Sequence, residues 1–249
     1  MKKKWLALIA IPLLLSTAAL AEEKIRIVTG EWDPYTSEHL PGNGFFAEIV
    51  TAVFKEMGME VSYEFHPWKR CESLLINGDA FAAMPYVATE ERRRFHDFSD
   101  VVAVSTGRFF YLKSRIPKDL SWEKYADLKP YKIGGVLGYW YEKEFNEAGL
   151  TVDYVPTEEA NMRKLQIGRV DLVPMDELVG WRLLNQHFPN QLSDFETLKK
   201  PTNISELYLM VSRAYPESET IRNRFNASLK SIREKGGYAR ILKKYNIKE

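Results

Sequence analysis

LINGDAFAAMPYVATEERRRFHDFSD, residues 75–100, decides how the rest of the chain reads. Ile76, Asn77 and Gly78 close a helix. The apolar run Ala80–Met84 lies between Gly78 and Pro85 and fits a buried strand of a parallel sheet. Thr89-Glu90-Glu91-Arg92 has the form of a helix start: a hydroxyl N-cap, acids in the first turn, then cations. The chain thus runs helix, strand, loop, helix. Arg92 falls near the end of a strand, at the edge where open α/β sheets bind ligands. Taken alone, Arg92 also reads as one of three solvated arginines in a row.

Working towards the N-terminus, Ile25–Val28 is a strand and Gly30-Glu31-Trp32-Asp33-Pro34-Tyr35 an aromatic loop. Phe46, Ile49, Val50, Val53, Phe54 and Met57 recur at helical spacing, and Gly58 ends that helix. Val61–Phe65 alternates as a second strand, and Pro67-Trp68-Lys69-Arg70 opens the next helix. The β-α-β-α-β-α order predicts a parallel sheet with helices on its faces. Trp32, Tyr35, Trp68 and Tyr86 all fall at strand-to-helix junctions or in loops. Four aromatics at one sheet edge suggest a pocket wall, against the plainer reading of loop packing. Arg70 is a second ligand-facing cation or a salt-bridged surface arginine.

Towards the C-terminus, Val101–Leu112 is too long and apolar for one ordinary strand and reads as an extended crossover. Residues 113–130 form a polar loop around a short helix. At Tyr131 the alternation restarts: strand Tyr131–Val136 with Gly134, Gly135 and Gly138 about its end, helix Tyr139–Asn146, strand Val152–Val155 and helix Glu158–Ile167. The glycines can expose backbone N–H groups to an anion, but the lysine and hydroxyl residue of a phosphate loop are missing. Asp176 stands before Glu177–Asn185, where it reads as an N-cap. Glu206–Val211 is the return crossover, followed by helices over Glu219–Glu234 and Gly237–Tyr245.

The central stretch resembles the solute-binding proteins of bacterial amino-acid importers, extracellular solute-binding protein family 3. There a Gly-x-x-Asp strand leads into Thr-Pro-Glu-Arg and Phe-Ser; Gly78, Thr89, Glu91, Arg92, Phe98 and Ser99 match. Gly168-Arg169-Val170-Asp171, the strand after it and Asp176 match a second stretch, and Gly236-Gly237-Tyr238 through Tyr245 the closing one. The resemblance implies an α/β fold of two Rossmann-like lobes joined by two crossover strands, the type II periplasmic binding protein fold. Lobe 1 is then residues 22–106 with 205–249, and lobe 2 is 107–204. It implies that Arg92 clamps a ligand carboxylate, for which a planar guanidinium fork suits better than a lysine. It also implies that Asp176 receives the ligand's ammonium and that N–H groups after Gly138 meet the carboxylate. In this chain Val87, Tyr139 and Trp140 replace the small hydroxyl residues usual there, and Pro85, Tyr86 and Phe81 also depart from the pattern. The expected ligand-binding set is Trp32, Trp68, Arg70, Tyr86, Val87, Arg92, Gly138, Tyr139, Trp140 and Asp176. The implied function is capture of an amino acid or similar small zwitterion or carboxylate for the membrane permease of an ABC importer, by a periplasmic monomer. Dehydration of prephenate-like acids on the same fold, with Glu31 as acid, and ligand sensing for a membrane receptor are the rival readings.

Lys and Arg number 35 against 34 Asp and Glu, which leaves no nucleic-acid footprint. No His-x-x-x-His, paired Cys or His–Glu cluster suggests a metal, no motif suggests a cofactor, and no Gly-x-Ser-x-Gly elbow is present. The single Cys71 cannot form an internal disulfide and reads as a small buried hydrophobe. Residues 1–21 read as a signal peptide: Lys2–Lys4, the apolar Trp5–Leu15 and the A-x-A site Ala19-Leu20-Ala21. The alternative, an N-terminal anchor, has an apolar run short of the ~20 residues of a span. Export should therefore yield a chain that starts at Glu22. Mass spectrometry of the periplasmic fraction checks this, and a membrane-bound chain retaining Met1 would contradict it.

Overall fold

A computed structural model describes residues 24–247, so the expected signal peptide lies outside the described residues. In chain order the first unit contains β1 (Ile25–Thr29), α1 (Phe45–Glu56), β2 (Val61–Phe65), α2 (Trp68–Ile76), β3 (Ala82–Tyr86), α3 (Glu90–Phe95) and β4 (His96–Phe98). The crossover β5 (Ala103–Leu112) leads to β6 (Ile133–Val136), α4 (Glu142–Glu147), β7 (Val152–Val155), α5 (Glu158–Gln166), β8 (Val173–Asp176), α6 (Glu177–His187) and β9 (Phe195–Thr197). The return crossover β10 (Asn203–Ser212) precedes α7 (Ser218–Glu234) and α8 (Gly237–Lys244).

The main sheet runs β2-β1-β3-β10-β5-β8, with β4 also on β10 and β9 on β5. β1 pairs in parallel with β2 and with β3, whereas β10 is antiparallel to both β3 and β5. The two crossovers lie side by side, with Ser105 opposite Ser205 and Gly107 opposite Asn203. Beyond them β5 pairs with β8 and β9. A two-stranded parallel pair, β6–β7, joins this unit through the bridge Ile133–Leu172. This is the expected α/β type II fold, with the two crossover strands paired along the middle.

Burial explains the sequence pattern. In β1, Ile27 packs into the core built on α1 and α7, and the adjacent Val28 packs with Cys71, Leu74 and Leu75 of α2. With a helical layer on each face, both sides of the inner strands are dry, so an apolar run replaces alternation. β3 continues through Pro85 to Tyr86, further than the apolar run suggested, although proline cannot donate to a ladder. The β10 partner shifts register between Tyr208 and Met210 at that point. In the second unit Phe109, Trp122, Leu128, Tyr141 and Phe145 form a separate, aromatic core. The expected helix from Tyr139 starts only at Glu142, because the Gly138–Tyr141 segment is a turn.

Phe225 of α7 is fully buried, its ring centroid 5.5 Å from that of Phe54. Phe225→Ala should cost about 3–5 kcal/mol of stability. Urea denaturation should show a lower midpoint with an unchanged slope, and a shift worth under ~1 kcal/mol would mean that this layer repacks freely.

Candidate functional site

Two adjoining cavities form a cleft between the first and second units. One, of about 360 Å³, is lined by Glu31, Trp32, Trp68, Pro85, Tyr86, Val87, Arg92, Tyr139, Glu158 and Leu207. The other, of about 240 Å³, shares Trp32, Val87, Tyr139, Glu158 and Leu207 and adds Ser105, Gly107, Trp140, Asp176, Asn203 and Ser205. Eight of the ten expected residues border this cleft. Arg70 does not: it lies on the exposed face of α2. Gly138 lies outside too, in a neighbouring surface hollow with Tyr139, Trp140 and Glu142.

The aromatic walls are held by specific contacts. Trp32 stacks on the buried ring of Tyr35, with centroids 4.0 Å apart and planes 11° apart. Trp68 meets Tyr86 edge-on at 5.6 Å, and the Tyr86 hydroxyl donates to the Trp68 carbonyl at 2.8 Å. Gly30 makes room for the indole, since a Cβ there would come within 2.5 Å of the Trp68 ring. On the opposite side Tyr139 and Trp140, 38% and 51% exposed, form an aromatic lip that rests on the buried Tyr141 ring, with centroids 5.7 and 5.4 Å from it.

Arg92 sits on α3, behind the Thr89 N-cap, whose hydroxyl accepts from the Arg92 N–H. Its guanidinium is already engaged. Nε and Nη2 both donate to Glu72 Oε1, at 3.2 and 3.0 Å, and Nη1 donates to the Val87 carbonyl at 3.2 Å. The Tyr86 ring lies 4.8 Å from its central carbon. Of five guanidinium N–H groups these bonds use three, which leaves one on each terminal nitrogen, the pair that a carboxylate takes bidentate.

Asp176 is both cap and bridge. Its Oδ1 accepts from the N–H groups of Leu178 and Val179 at 3.0 and 3.1 Å. Oδ2 accepts the hydroxyls of Tyr35 and Ser105, each at 2.9 Å. The carboxylate's roughly four acceptor positions are therefore all taken, so an incoming ammonium has to share or displace a hydroxyl. Burial raises the pKa of Asp176, while the four donors act in the opposite direction. Gly138, at φ +76°, gives its N–H to Glu142 Oε2 at 2.9 Å, and the Tyr139 N–H is directed at the Val136 carbonyl. Of the backbone donors expected to meet a ligand after Gly138, that of Tyr139 is bonded within the loop.

Glu158 was not anticipated. It is the first residue of α5 after the Thr157 N-cap and faces both cavities. Its pKa is raised chiefly by burial and further by the Asp176 charge, against a hydrogen bond from Tyr139 that lowers it. In the sequence it looks like any first-turn acid. The polar lining supplied by the crossovers, Ser105, Asn203 and Ser205, was equally unforeseen. Asn203 Nδ2 donates to Ser205 Oγ at 3.2 Å. No group of three potential metal ligands occurs among the described residues. Asp171 accepts from Arg115 at 2.9 Å and from the Lys132 N–H at 2.9 Å, a structural role away from the cleft.

Comparison with known proteins accords with this architecture. The profile of the bacterial extracellular solute-binding proteins, family 3, matches residues 25–248, and the chain belongs to that family. A probable histidine-binding protein of Neisseria gonorrhoeae is 28% identical, covering 88% of this chain and 81% of its own. The L-cystine-binding protein TcyA of Bacillus subtilis (strain 168) is 24% identical, covering 87% and 78%. Among solved structures, a histidine kinase sensor domain with similarity to periplasmic binding proteins superposes with a TM-score of 0.68 at 20% identity, covering 90% of this chain and 96% of that one.

The pH dependence of stability tests the burial of Glu158. A carboxyl with a raised folded-state pKa binds its proton more tightly when folded. Its stabilising contribution is present below the ordinary pKa, here 4.5, and is lost as the pH rises through the raised value. Glu158→Gln cannot ionise and escapes that loss. Its Tm relative to the unsubstituted protein should therefore be higher at pH 7 than at pH 4. A difference that does not change with pH would mean that the carboxyl is solvated.

Proposed function

We propose that this member of family 3 captures an amino acid, or a similar small zwitterion or carboxylate, in the cleft and delivers it to the membrane permease of an ABC importer. It works in the periplasm as a monomer and without turnover. The two lobes are residues 22–106 with 205–249, and 107–204. The pairing of Ser105 with Ser205 supports that division, because both crossovers leave one unit for the other at the same level.

The observation that carries the reading is the cleft itself. Aromatic walls, a guanidinium with two unused N–H groups and hydroxyl and amide groups from both crossovers converge on a space of amino-acid size. The histidine- and cystine-binding relatives are of the same kind. Within this reading Arg92 receives the ligand carboxylate. Asp176 holds the ammonium end, sharing its Oδ2 with Tyr35 and Ser105. Trp32, Trp68, Tyr86, Val87, Tyr139 and Trp140 shape the pocket. Glu31, the acid that dehydration would use, is exposed, and its Oε1 accepts the Glu38 N–H.

Calorimetric titration of the purified protein with the amino acids should show saturable binding without product. Arg92→Ala should weaken that binding by about 30-fold or more, the 2–5 kcal/mol cost of truncating one side of a closed charge pair. Arg93→Ala, on the exposed side of α3, should change it by less than about fivefold. Equal effects of the two substitutions would remove Arg92 from the site.

A further inference from the structure

The cleft is unevenly charged. Apart from Tyr86 and Tyr139, four of its lining residues are ionisable: Glu31, Arg92, Glu158 and Asp176. Arg92 is matched by Glu72, and Asp176 has its four acceptor positions filled by hydroxyls and backbone N–H groups. Glu31 is exposed and bonded to the Glu38 N–H. Glu158 differs from all of these. It borders both cavities, and among the described residues no Lys, Arg or His pairs with it. The Tyr139 hydroxyl lies beside it, and burial disfavours its charge. Trp32, Tyr139 and Trp140 stand around it in the smaller cavity, and their ring faces attract cations.

From this geometry we infer that Glu158 is the specificity-determining residue of the cleft and that the ligand carries a second cation, an ammonium or guanidinium group beyond its α-ammonium, which Glu158 receives among the aromatic rings. This rests on the binding function proposed above and deepens it. A carboxylate that is desolvated without a counter-charge is costly, and a ligand cation removes that cost. A neutral ligand of the same shape leaves it in place, so discrimination comes from both attraction and penalty. The Tyr139 hydroxyl stands beside the carboxylate, and both border the space a ligand would occupy. Placement at the first turn of α5 offsets only part of that desolvation cost.

Matched pairs of probes that differ in charge and little in shape provide the test: L-arginine against L-citrulline, and L-lysine against L-norleucine, with L-glutamate as the anionic control. Isothermal titration of the purified protein should show the cationic member of at least one pair binding ten times more tightly than its neutral partner, or better. Glu158→Gln keeps the side-chain length and can still accept from Tyr139. It should weaken the cationic probe at least tenfold and leave the neutral one within about threefold. If the unsubstituted protein binds neutral or anionic amino acids as tightly as cationic ones, the inference fails and the binding function stands. An equal loss for both members of a pair in Glu158→Gln likewise overturns it, since the residue would then be shaping the pocket. If none of these probes and no other amino acid binds, the proposed function fails, and the inference with it.

Discussion

Four hydrogen bonds meet on the carboxylate of Asp176, and they join three parts of the molecule. Two come from the first turn of α6, one from Tyr35 in the aromatic loop after β1, and one from Ser105 on the crossover. The helix cap, the first unit and the crossover strand thus share one buried anion. Removing any donor leaves a desolvated oxygen short of a partner, which costs more than the bond itself contributes. Tyr35 also stacks under Trp32, so the orientation of an aromatic wall depends on the same carboxylate. The Tyr35 hydroxyl has its pKa raised by burial and by Asp176, and it stays protonated as a donor.

On the other side of the cleft, a second polar group is restrained differently. Arg92 is held by Glu72, by the Val87 carbonyl and by the Tyr86 ring. These contacts fix the guanidinium where a flexible cation would wander, at the expense of part of its charge. A ligand carboxylate meeting Arg92 therefore encounters a preorganised fork of modest field. Among the described residues Glu158 has no comparable partner. The two ends of the cleft thus differ in kind: a positive group already compensated and a negative group awaiting compensation.

Much of this was legible in residues 75–100. Gly78 marks a turn, since a Cβ there would strike the Ala214 carbonyl at 2.9 Å and its φ is +77°. Thr89 is the N-cap it was read as. The β-α alternation follows from the dryness of both sheet faces, and burial imprints that on composition. Three features could not be read. Pro85 argued for a strand end, and only the register shift in β10 shows how the sheet absorbs it. The Gly138 turn looked like an anion cradle, but Glu142, four residues on, accepts its N–H. Glu158, Ser105, Asn203 and Ser205 belong to the cleft because of how β5, α5 and β10 come together, and spacing along the chain carries no trace of that.

The forces joining the units without a ligand set what a ligand must do. Besides Tyr35–Asp176, the first unit reaches the second through Asp33, which accepts from Arg182 at 3.0 Å and from Gln186 at 3.2 Å. The Arg182 and Asp33 side chains are 36% and 29% exposed, so water screens the pair and its worth is at most about 1 kcal/mol. Moving a two-state equilibrium from 1:99 to 99:1 takes about 5.5 kcal/mol of differential affinity. The half-exposed ion pair and the one buried hydroxyl–carboxylate bond do not reach that figure by themselves, and the apolar cluster that contains both Tyr35 and Phe45 of the first unit and Val179 and Leu184 of the second adds to them. A ligand bound as proposed would touch Arg92 on one side and Glu158 and Asp176 on the other, and would gain these contacts together only where the two sides face each other. In the arrangement proposed above, the charge of the ligand adds to the apolar and polar contacts that already join the units.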